Sequence, residues 1–485
     1  MKRRDFIKGL GMLGLGAAAG KSFASFQPFA ITPKSFNPDS ISLSPVAVDQ
    51  LPRYINIFLY GGPSELAGNL TNIVDINNNS QNAYNGNLLQ PYDAVTTPNG
   101  QITPNGFWRS AGGAIMEELI ASGDMSIYRT MNRIKDDNKG HGACVTQNLL
   151  GNLDMESPGI ATNLAWILEN NSPFVGKTAA DLLFPFVTFE GESQVFNPGN
   201  LEIPLVFKPV ALNSNLQNPY SRTDNVGSSV LNRGSAIDLA LADLAKTANT
   251  AAPSKITTAF DNQDYFADKI STLLDPATVQ AQIDAYDVSL GAAMQPLIAY
   301  QNNNFGNRLK AAVSLSLNNP ETVFISLGSG GLGGWDDHSE AQDDYPGRVT
   351  QLMSAIQSAM RHIHAAYDAG DATHAHNIII NVYGDFGRNV NLNNSMGWDH
   401  GNNQNLYTFG GRAISGRGLG KIVGRTERIG TPGVNRQYTS PTADSYQFEP
   451  FALASTMYKQ FGVTNPELMS GEPPIDETAP AEPLL

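Results

Sequence analysis

The sequence of 485 residues contains one cysteine, Cys144. A single thiol forms no intramolecular disulfide bond, so the chain is not a disulfide-stabilised scaffold and its stability must come from packing. Basic side chains are also in deficit, with 31 lysines and arginines against 45 acidic residues and a formal net charge of −14. An acidic surface repels phosphate backbones and anionic lipid headgroups, which argues against nucleic acid or membrane partners.

The apolar segment near the amino terminus is too short to cross a membrane. It covers residues 9–20, whereas a transmembrane helix needs about 20 residues. Arg3 and Arg4 precede it, and a small-residue site at residues 22–24 follows it. This order predicts a twin-arginine signal peptide over residues 1–24 and no stable membrane anchor. We therefore expect a periplasmic or secreted protein that the twin-arginine export machinery recognises.

The remaining chain divides by composition. Residues 25–52 are rich in serine and proline and predict a linker. Residues 53–465 predict one α/β domain, in which the amphipathic patterns at about 200–320 indicate a helical insertion. Residues 466–485 are acidic and proline-rich, and this composition predicts a disordered tail.

Strand and helix patterns alternate within the domain. Runs rich in β-branched and aromatic residues predict strands at 54–60, 125–129, 184–189, 322–327 and 378–383. A helix with one apolar face is predicted at about 346–369, between the last two of these strands. A strand, helix and strand of these lengths form a parallel unit with a right-handed crossover. The predicted fold class is therefore α/β, with a mostly parallel central sheet flanked by helices.

Polar clusters follow two of the predicted strands, at the end where parallel α/β sheets bind ligands. Asp336 and His338 come after the strand ending at residue 327, Asp385 follows the strand ending at residue 383, and Asp399 and His400 lie a short loop later. Carboxylates and imidazoles are ligands of zinc, manganese and similar divalent ions. The three clusters together predict a divalent metal site, whereas any one of them could equally cap a helix or bond its own backbone.

The other candidate side chains have less distinctive surroundings. His141 lies in a Gly-His-Gly turn that begins the helix after the second strand. Four more histidines lie on or after a helix that we expect to be exposed, and we interpret them as ordinary surface residues: His362, His364, His374 and His376. Arg388 could bind an anionic group of a substrate or pair with a neighbouring carboxylate, and the sequence leaves both open.

The ordered motifs resemble the exported proteins of domain of unknown function 1501, a family placed in the alkaline phosphatase-like superfamily beside sulfatases and phosphoglycerate mutases. After the twin-arginine start, the motifs are Phe58-Leu59-Tyr60-Gly61-Gly62, Gly334-Trp335-Asp336-Asp337-His338, Asp385-Phe386-Gly387-Arg388, Trp398-Asp399-His400-Gly401 and Gly410-Gly411. They keep the family order and span almost the whole mature chain. The resemblance implies an alkaline phosphatase-like fold with Asp336, His338, Asp385 and His400 as metal ligands. It makes Asp399 a ligand or a carboxylate that orients His400.

Two departures from the family pattern concern the chemistry. Ser64 stands where family members usually carry an aspartate ligand, and either Glu65 next to it or a single-metal arrangement would have to compensate. Gly140-His141 stands where the family often has Ser-His. The superfamily nucleophile begins the helix after the second strand, where Cys144 and Thr146 are the nearest candidates. The Cys-x-Pro-x-Arg signal of sulfatase maturation is absent around Cys144, so we favour a buried structural cysteine.

Two functions follow from these residues. The first is an exported metal-dependent hydrolase of a small anionic phosphate or sulfate ester, with His141, Cys144, Thr146 and Arg388 as candidate catalytic residues. The second is a non-catalytic exported binding or assembly protein that retains the fold with a degenerate metal site. Ser64 and Gly140 favour the second function, and the set from Asp336 to His400 favours the first.

Overall fold

Eight strands form the central sheet of the computed structural model, and they lie in the order β10-β2-β9-β6-β1-β5-β3-β4. Their bounds are β1 Arg53–Leu59, β2 Met125–Asn132, β3 Phe186–Thr188, β4 Val210–Ala211, β5 Phe324–Gly328, β6 Ile378–Gly384, β9 Asn403–Gly410 and β10 Ile422–Val423. Two small antiparallel pairs complete the strands, β7 Gly387–Arg388 with β8 His400–Gly401 and β11 Thr426–Ile429 with β12 Tyr438–Pro441.

Helices cover both faces of the sheet. They are α1 Gly113–Ala121, α2 His141–Leu150, α3 Ile160–Asn170, α4 Pro276–Ser289, α5 Asn304–Asn318, α6 Ala341–Asp368, α7 Ala452–Gln460 and the short α8 Glu467–Ser470. The structure describes residues 37–63, 103–136, 139–177, 182–190, 193–212, 269, 272–291, 296–339, 341–389, 393, 395, 397–429 and 438–482. The predicted signal peptide, Ser64 and Glu65 lie outside these residues. No helix of the described ranges is long and apolar enough to span a membrane.

The sheet is mostly parallel, as the sequence predicts. β1 pairs in parallel with β5 and β6, and β3 pairs in parallel with β4 and β5. Only β9 runs against its neighbours, between β6 and β2. All seven residues of β1 are buried, because a parallel sheet between two helical layers has no face left in water. The α/β class with a mostly parallel, helix-flanked sheet is therefore confirmed.

Side chains of β1 alternate between two apolar cores. Ile55, Ile57 and Leu59 belong to one core, which includes residues of α5 and α6. Tyr54 and Phe58 belong to the other, which includes residues of α3 and α7. Successive side chains of a strand point to opposite faces, so two helical layers require apolar side chains on both faces of the strand, and in β1 only Arg53 and Asn56 are polar.

The predicted helical insertion is described in part. The helices α4 and α5 lie within it, and residues 213–268 fall outside the described ranges. Tyr286 of α4 packs its ring on His362 of α6, and the Tyr300 hydroxyl lies 3.1 Å from His362 Nδ1. His362 is only 2 % exposed, and burial lowers its pKa to about 3. The prediction that His362 is a surface residue is wrong, because α4 and its following loop cover that face of α6.

The segment that precedes the predicted domain is packed against its carboxyl-terminal part. Ser44 N donates to Gly462 O at 2.7 Å, and Ser42 N donates to Asn465 Oδ1 at 2.9 Å. Leu51 is 1 % exposed. The described part of the predicted linker, residues 37–52, is thus held against the carboxyl-terminal part of the chain rather than free in solution.

The carboxyl-terminal segment is also packed. It contains α8 and places Met469, Glu472, Ile475 and Ala479 in buried positions. The prediction of a disordered tail is wrong for residues 466–482, because its acidic side chains pair with basic groups of the domain. Composition alone does not show that Met469, Ile475 and Ala479 are buried while Leu468 is exposed.

A hydrogen-bonded chain of three side chains lies at the edge of the sheet where β2 and β6 begin. Asp124 Oδ1 accepts a hydrogen bond from His364 Nε2 at 2.6 Å, and His364 Nδ1 lies 3.1 Å from His376 Nε2. Arg412 also contacts Asp124 Oδ1 at 2.7 Å. Burial alone would raise the pKa of Asp124, but its bonds to His364 and Ser122 and the nearby positive charges lower it.

Replacing Asp124 with asparagine should destabilise the protein in a pH-dependent way. The pKa of Asp124 is lowered in the folded state, so its contribution is present above the ordinary aspartate pKa and is lost as the pH falls through the folded value. We expect Asp124→Asn to lower the free energy of unfolding by about 1–3 kcal/mol at pH 7, and by less towards pH 3. Urea unfolding at several pH values measures this. Asp444→Asn, which breaks an exposed pair with Arg425, is the control with little effect, and a pH-independent loss in Asp124→Asn would contradict the assignment.

Candidate metal centre

Four side chains converge where β1, β5 and β6 end. His141 is the first residue of α2, Asp336 and His338 lie in the loop after β5, and His400 begins β8. One nitrogen or oxygen atom of each lies within 4.8 Å of the corresponding atoms of the other three. The structure thus brings together three of the predicted ligands and adds His141, which the sequence suggested only as a catalytic residue. These four residues could hold a metal ion.

The distances between the facing atoms fit a small divalent cation. Asp336 Oδ1 lies 3.3 Å from His141 Nε2 and 3.2 Å from His338 Nε2. His338 Nε2 lies 2.8 Å from His400 Nε2. Ligands of a tetrahedral zinc ion with bonds near 2.1 Å stand about 3.4 Å apart, so the two contacts of Asp336 already have that spacing.

The outer nitrogen of each imidazole has its own partner. His141 Nδ1 lies 2.7 Å from Asp385 Oδ2, His338 Nδ1 lies 3.3 Å from Asp399 Oδ1, and His400 Nδ1 lies 2.5 Å from Lys139 O. Because all three partners are acceptors, each Nδ1 must carry the hydrogen, and each Nε2 of a neutral ring presents a lone pair.

Two such lone pairs repel each other at the separation of His338 and His400 unless a cation or proton lies between them. The Nε2 atom of His141 is likewise buried without a hydrogen-bond partner. Outer partners that fix the tautomer in this way are a regular feature of metal-binding histidines. The donor set therefore fits a divalent cation.

The local electrostatics keep the ligands in the forms that bind metal. Burial lowers the pKa of His400 to about 4, so its ring is neutral at pH 7. Burial alone would raise the pKa of Asp336, but the hydrogen bond and charge of Arg388 lower it, and the carboxylate is ionised. His141 Nδ1 donates to Asp385 Oδ2, and this hydrogen bond raises the pKa of His141, which makes its Nε2 a stronger electron-pair donor to a cation.

Glycines let the loops of the centre approach one another. Gly61 has a φ of +118°, and a Cβ atom there would lie 2.5 Å from the backbone nitrogen of Asp336. A Cβ atom on Gly397 would lie 2.1 Å from the carbonyl carbon of His338. Phe386 packs its ring against His141 and His400, with centroid distances of 4.7 and 4.3 Å. One side of the centre is therefore apolar, and two loops can approach it only because they carry glycine.

Two predicted ligands lie behind the centre rather than in it. Asp385 is fully buried, accepts hydrogen bonds from the Gly61 N–H at 3.1 and 3.2 Å, and orients His141. Asp399 faces His338, whereas the family resemblance suggested that it orients His400. Lys139, whose carbonyl orients His400, was not a candidate, because a backbone carbonyl leaves no signal in the sequence. The predicted ligand Glu65 lies outside the described residues.

Of the other predicted catalytic residues, Arg388 bonds one of the four facing atoms, Asp336 Oδ1, whereas Cys144 is buried in the core and Thr146 bonds its own helix. The Cys144 side chain is inside the core at 0 % exposure, and burial raises its pKa to about 11. Thr146 donates its hydroxyl to Gly142 O one turn back along α2. The Arg388 guanidinium is buried and pairs with Asp336 at 2.7 Å, the second of the two roles that the sequence left open.

Replacing Asp385 with asparagine should weaken metal binding at His141. The amide can still accept from Gly61 N–H through its oxygen, but its nitrogen would then donate to His141 Nδ1 and move the ring hydrogen to Nε2. We expect a loss of about 10–100-fold in metal affinity, measured by competition with a chromophoric chelator. Asp399→Asn should act in the same way through His338. Unchanged affinity in both variants would contradict this arrangement.

A family model described as "Protein of unknown function (DUF1501)" matches residues 52–471. The matched range contains all four residues of the centre and the two carboxylates behind it. The comparison with curated proteins gave no match.

Proposed function

We propose that this chain, which belongs to the DUF1501 family, is an exported metal-dependent hydrolase of small phosphate or sulfate esters, with an alkaline phosphatase-like fold. One observation carries the proposal. Three imidazole nitrogens with fixed tautomers and one ionised carboxylate converge at the carboxyl ends of parallel strands. This edge is the usual place for a ligand in a parallel α/β sheet.

The donor set favours zinc. Three nitrogen donors and one carboxylate oxygen match the borderline character of zinc, whereas manganese prefers sites with more oxygen. A bound divalent cation supplies Lewis acidity, which polarises an ester oxygen and stabilises developing negative charge. The two candidate ions, zinc and manganese, can be distinguished by metal analysis of protein purified without chelators.

The residues of the chain supply access and orientation. Asp336 and His338 have side chains that are 54 % and 44 % exposed, so a small anionic ester can reach the centre from solvent. Asp385 and Asp399 hold the imidazoles of His141 and His338 in place. Phe386 excludes water from the opposite side of His141 and His400. These contacts fix the ligand atoms before substrate arrives, which is the arrangement that electrostatic catalysis requires.

A second function has support of its own. Arg388 is already paired, and Cys144 is buried with a raised pKa, so two of the predicted catalytic residues serve the structure instead. This favours a non-catalytic exported binding or assembly protein that keeps a metal centre. Export itself is proposed from residues 1–24, which precede the described residues.

Hydrolysis assays on protein of known metal content distinguish the two functions. Wild-type protein loaded with zinc or manganese is assayed with aryl phosphate and aryl sulfate esters, before and after chelation. His338→Ala should abolish turnover, and His376→Ala, at the opposite edge of the sheet, is the matched control that should retain it. Glu65→Ala asks whether that carboxylate replaces the family aspartate at Ser64. A metal-loaded wild-type protein that hydrolyses neither ester would favour the binding function, and turnover that survives strong chelation would contradict the metal mechanism.

A further inference from the structure

One buried guanidinium joins the loops that carry the centre. Arg388 Nε donates to Gly62 O at 2.6 Å, and Nη1 donates to Trp398 O at 2.6 Å. Nη2 donates to Gly61 O and, at 2.7 Å, to Asp336 Oδ1. The Arg388 side chain is 0 % exposed. Its donors thus reach the loop after β1, the loop after β5 and the chain that leads into β8.

Every ligand of the centre is connected to these contacts, either directly or through neighbouring residues. Asp336 bonds Arg388 directly, and His338 lies two residues further along the same loop. His400 pairs with Arg388 across the β7–β8 ladder. His141 is oriented by Asp385, which accepts the N–H of Gly61, a residue whose carbonyl Arg388 holds.

We infer that Arg388 is a positioning residue that assembles the metal centre, rather than a group that binds the anionic substrate. This inference rests on the metal centre of the proposed function. The Asp336 side chain is 54 % exposed, so in solvent it would sample several rotamers. Its bond to a guanidinium that is itself fixed at three carbonyls holds Oδ1 between His141 and His338. Gly61 and Gly62 lack side chains that could fix the loop after β1, so the hydrogen bonds from Arg388 to their carbonyl oxygens hold this loop in place.

The planar fork of arginine is necessary for this role. A guanidinium presents its donors in one plane, and here they point to acceptors on three separate segments. A lysine ammonium would keep the positive charge near Asp336 but could not reach Gly62 O and Trp398 O together. Charge and geometry can therefore be separated by a single substitution.

The experiment compares Arg388→Lys with Arg53→Lys. Arg53 is a second buried arginine, at the other end of β1, and it donates to the carbonyls of Pro320 and Leu51. We expect Arg388→Lys to weaken zinc affinity by about 10–100-fold in competition with a chromophoric chelator. Arg53→Lys should leave zinc affinity within about twofold of wild type while it reports, by urea unfolding, the general cost of a buried arginine-to-lysine change. Equal zinc affinities in the two variants would overturn the inference.

A second readout needs no metal. The NMR chemical shifts of the imidazole nitrogens in protein freed of metal by a chelator report the tautomer and hydrogen bonding of His141, His338 and His400. Arg388→Lys should move these shifts, and Arg53→Lys should leave them at the wild-type values. If wild-type protein binds no zinc, the proposed function fails, but these shifts still test the role of Arg388. Shifts that are unchanged in Arg388→Lys would overturn the inference that Arg388 positions the three imidazoles. Arg388→Gln, which keeps a planar amide without charge, replaces Arg388→Lys in both measurements if the lysine variant does not fold.

Discussion

His400→Ala is expected to lower the affinity for divalent metal by more than about 100-fold, because it removes one of four ligands whereas loss of an outer partner alone costs 10–100-fold. The fold should survive, since His400 is only partly buried in the small two-stranded pair of β7 and β8, outside the central sheet. Metal content after chelator-free purification and zinc titration of the stripped protein measure the effect.

A histidine remote from the centre provides the matched control. His374 lies at the opposite edge of the sheet and donates through Nε2 to Ser316 O at 2.8 Å. His374→Ala should retain the wild-type metal content, although it removes the same side chain. Wild-type protein without stoichiometric metal, or equal metal content in the two variants, would show that the four residues are not a metal centre.

Truncation after Gly471 should leave the protein largely unfolded. The segment that it removes pairs Glu472 with Lys135 and pairs Glu477 with Arg417 at 2.7 Å. Glu482 N donates to Ile422 O at 2.8 Å, and Glu482 O accepts from Arg129 Nη2. Arg129 lies in the core at 0 % exposure, so the truncated chain would have to bury this charge without its acceptor.

The expected loss is comparable to the whole stability of the protein. Breaking one buried ion pair by removing a partner costs about 3–5 kcal/mol, and the total free energy of unfolding of a typical protein is about 5–15 kcal/mol. Circular dichroism and proteolysis of a chain ending at residue 471 measure the result. A chain ending at residue 482, which keeps these contacts, is the control. If the shorter chain unfolds at the same temperature as this control, the segment is not part of the folded domain.

Local patterns were sufficient to predict the strands around the centre. The predicted strands at 322–327 and 378–383 correspond to β5 and β6, and the helix between them corresponds to α6. Their apolar runs are buried between two layers of helices, so composition and burial agree along each segment. The helix that was predicted to begin at His141 corresponds to α2. A glycine precedes this helix, and Gly151 ends it in the left-handed conformation.

The antiparallel strand β9 was not predicted. It begins Asn403-Gln404-Asn405, and residues of this kind are depleted in strands. In the structure, Asn403 Nδ2 donates to Arg129 O and Asn405 Nδ2 donates to the Tyr407 hydroxyl. Tyr407 lies two residues further along the same strand, but Arg129 lies on β2 and comes from tertiary structure. No local pattern of the sequence could therefore indicate that the amide of Asn403 would be buried there.

The candidate site was predicted at the level of clusters and not of roles. Strand ends placed Asp336, His338 and His400 together, because parallel strands bring their carboxyl ends to one edge. Whether Asp385 is a ligand or an orienting carboxylate depends on where the start of α2 places His141 relative to it, which residue type does not reveal. The same holds for Arg388, whose partners are mainly backbone carbonyls of other loops.

The position of β1 in the sheet has a consequence for the order in which the protein forms. This strand is synthesised early, yet its two neighbours are β5 and β6, which end at residues 328 and 384. Its backbone groups cannot be paired natively until most of the chain has left the ribosome. Sheets built from such distant segments close slowly, because the entropy of a long loop is lost before the pairing stabilises it. The central strand therefore cannot complete its native pairing before residue 384 has been synthesised, and until then an apolar segment awaits its partners.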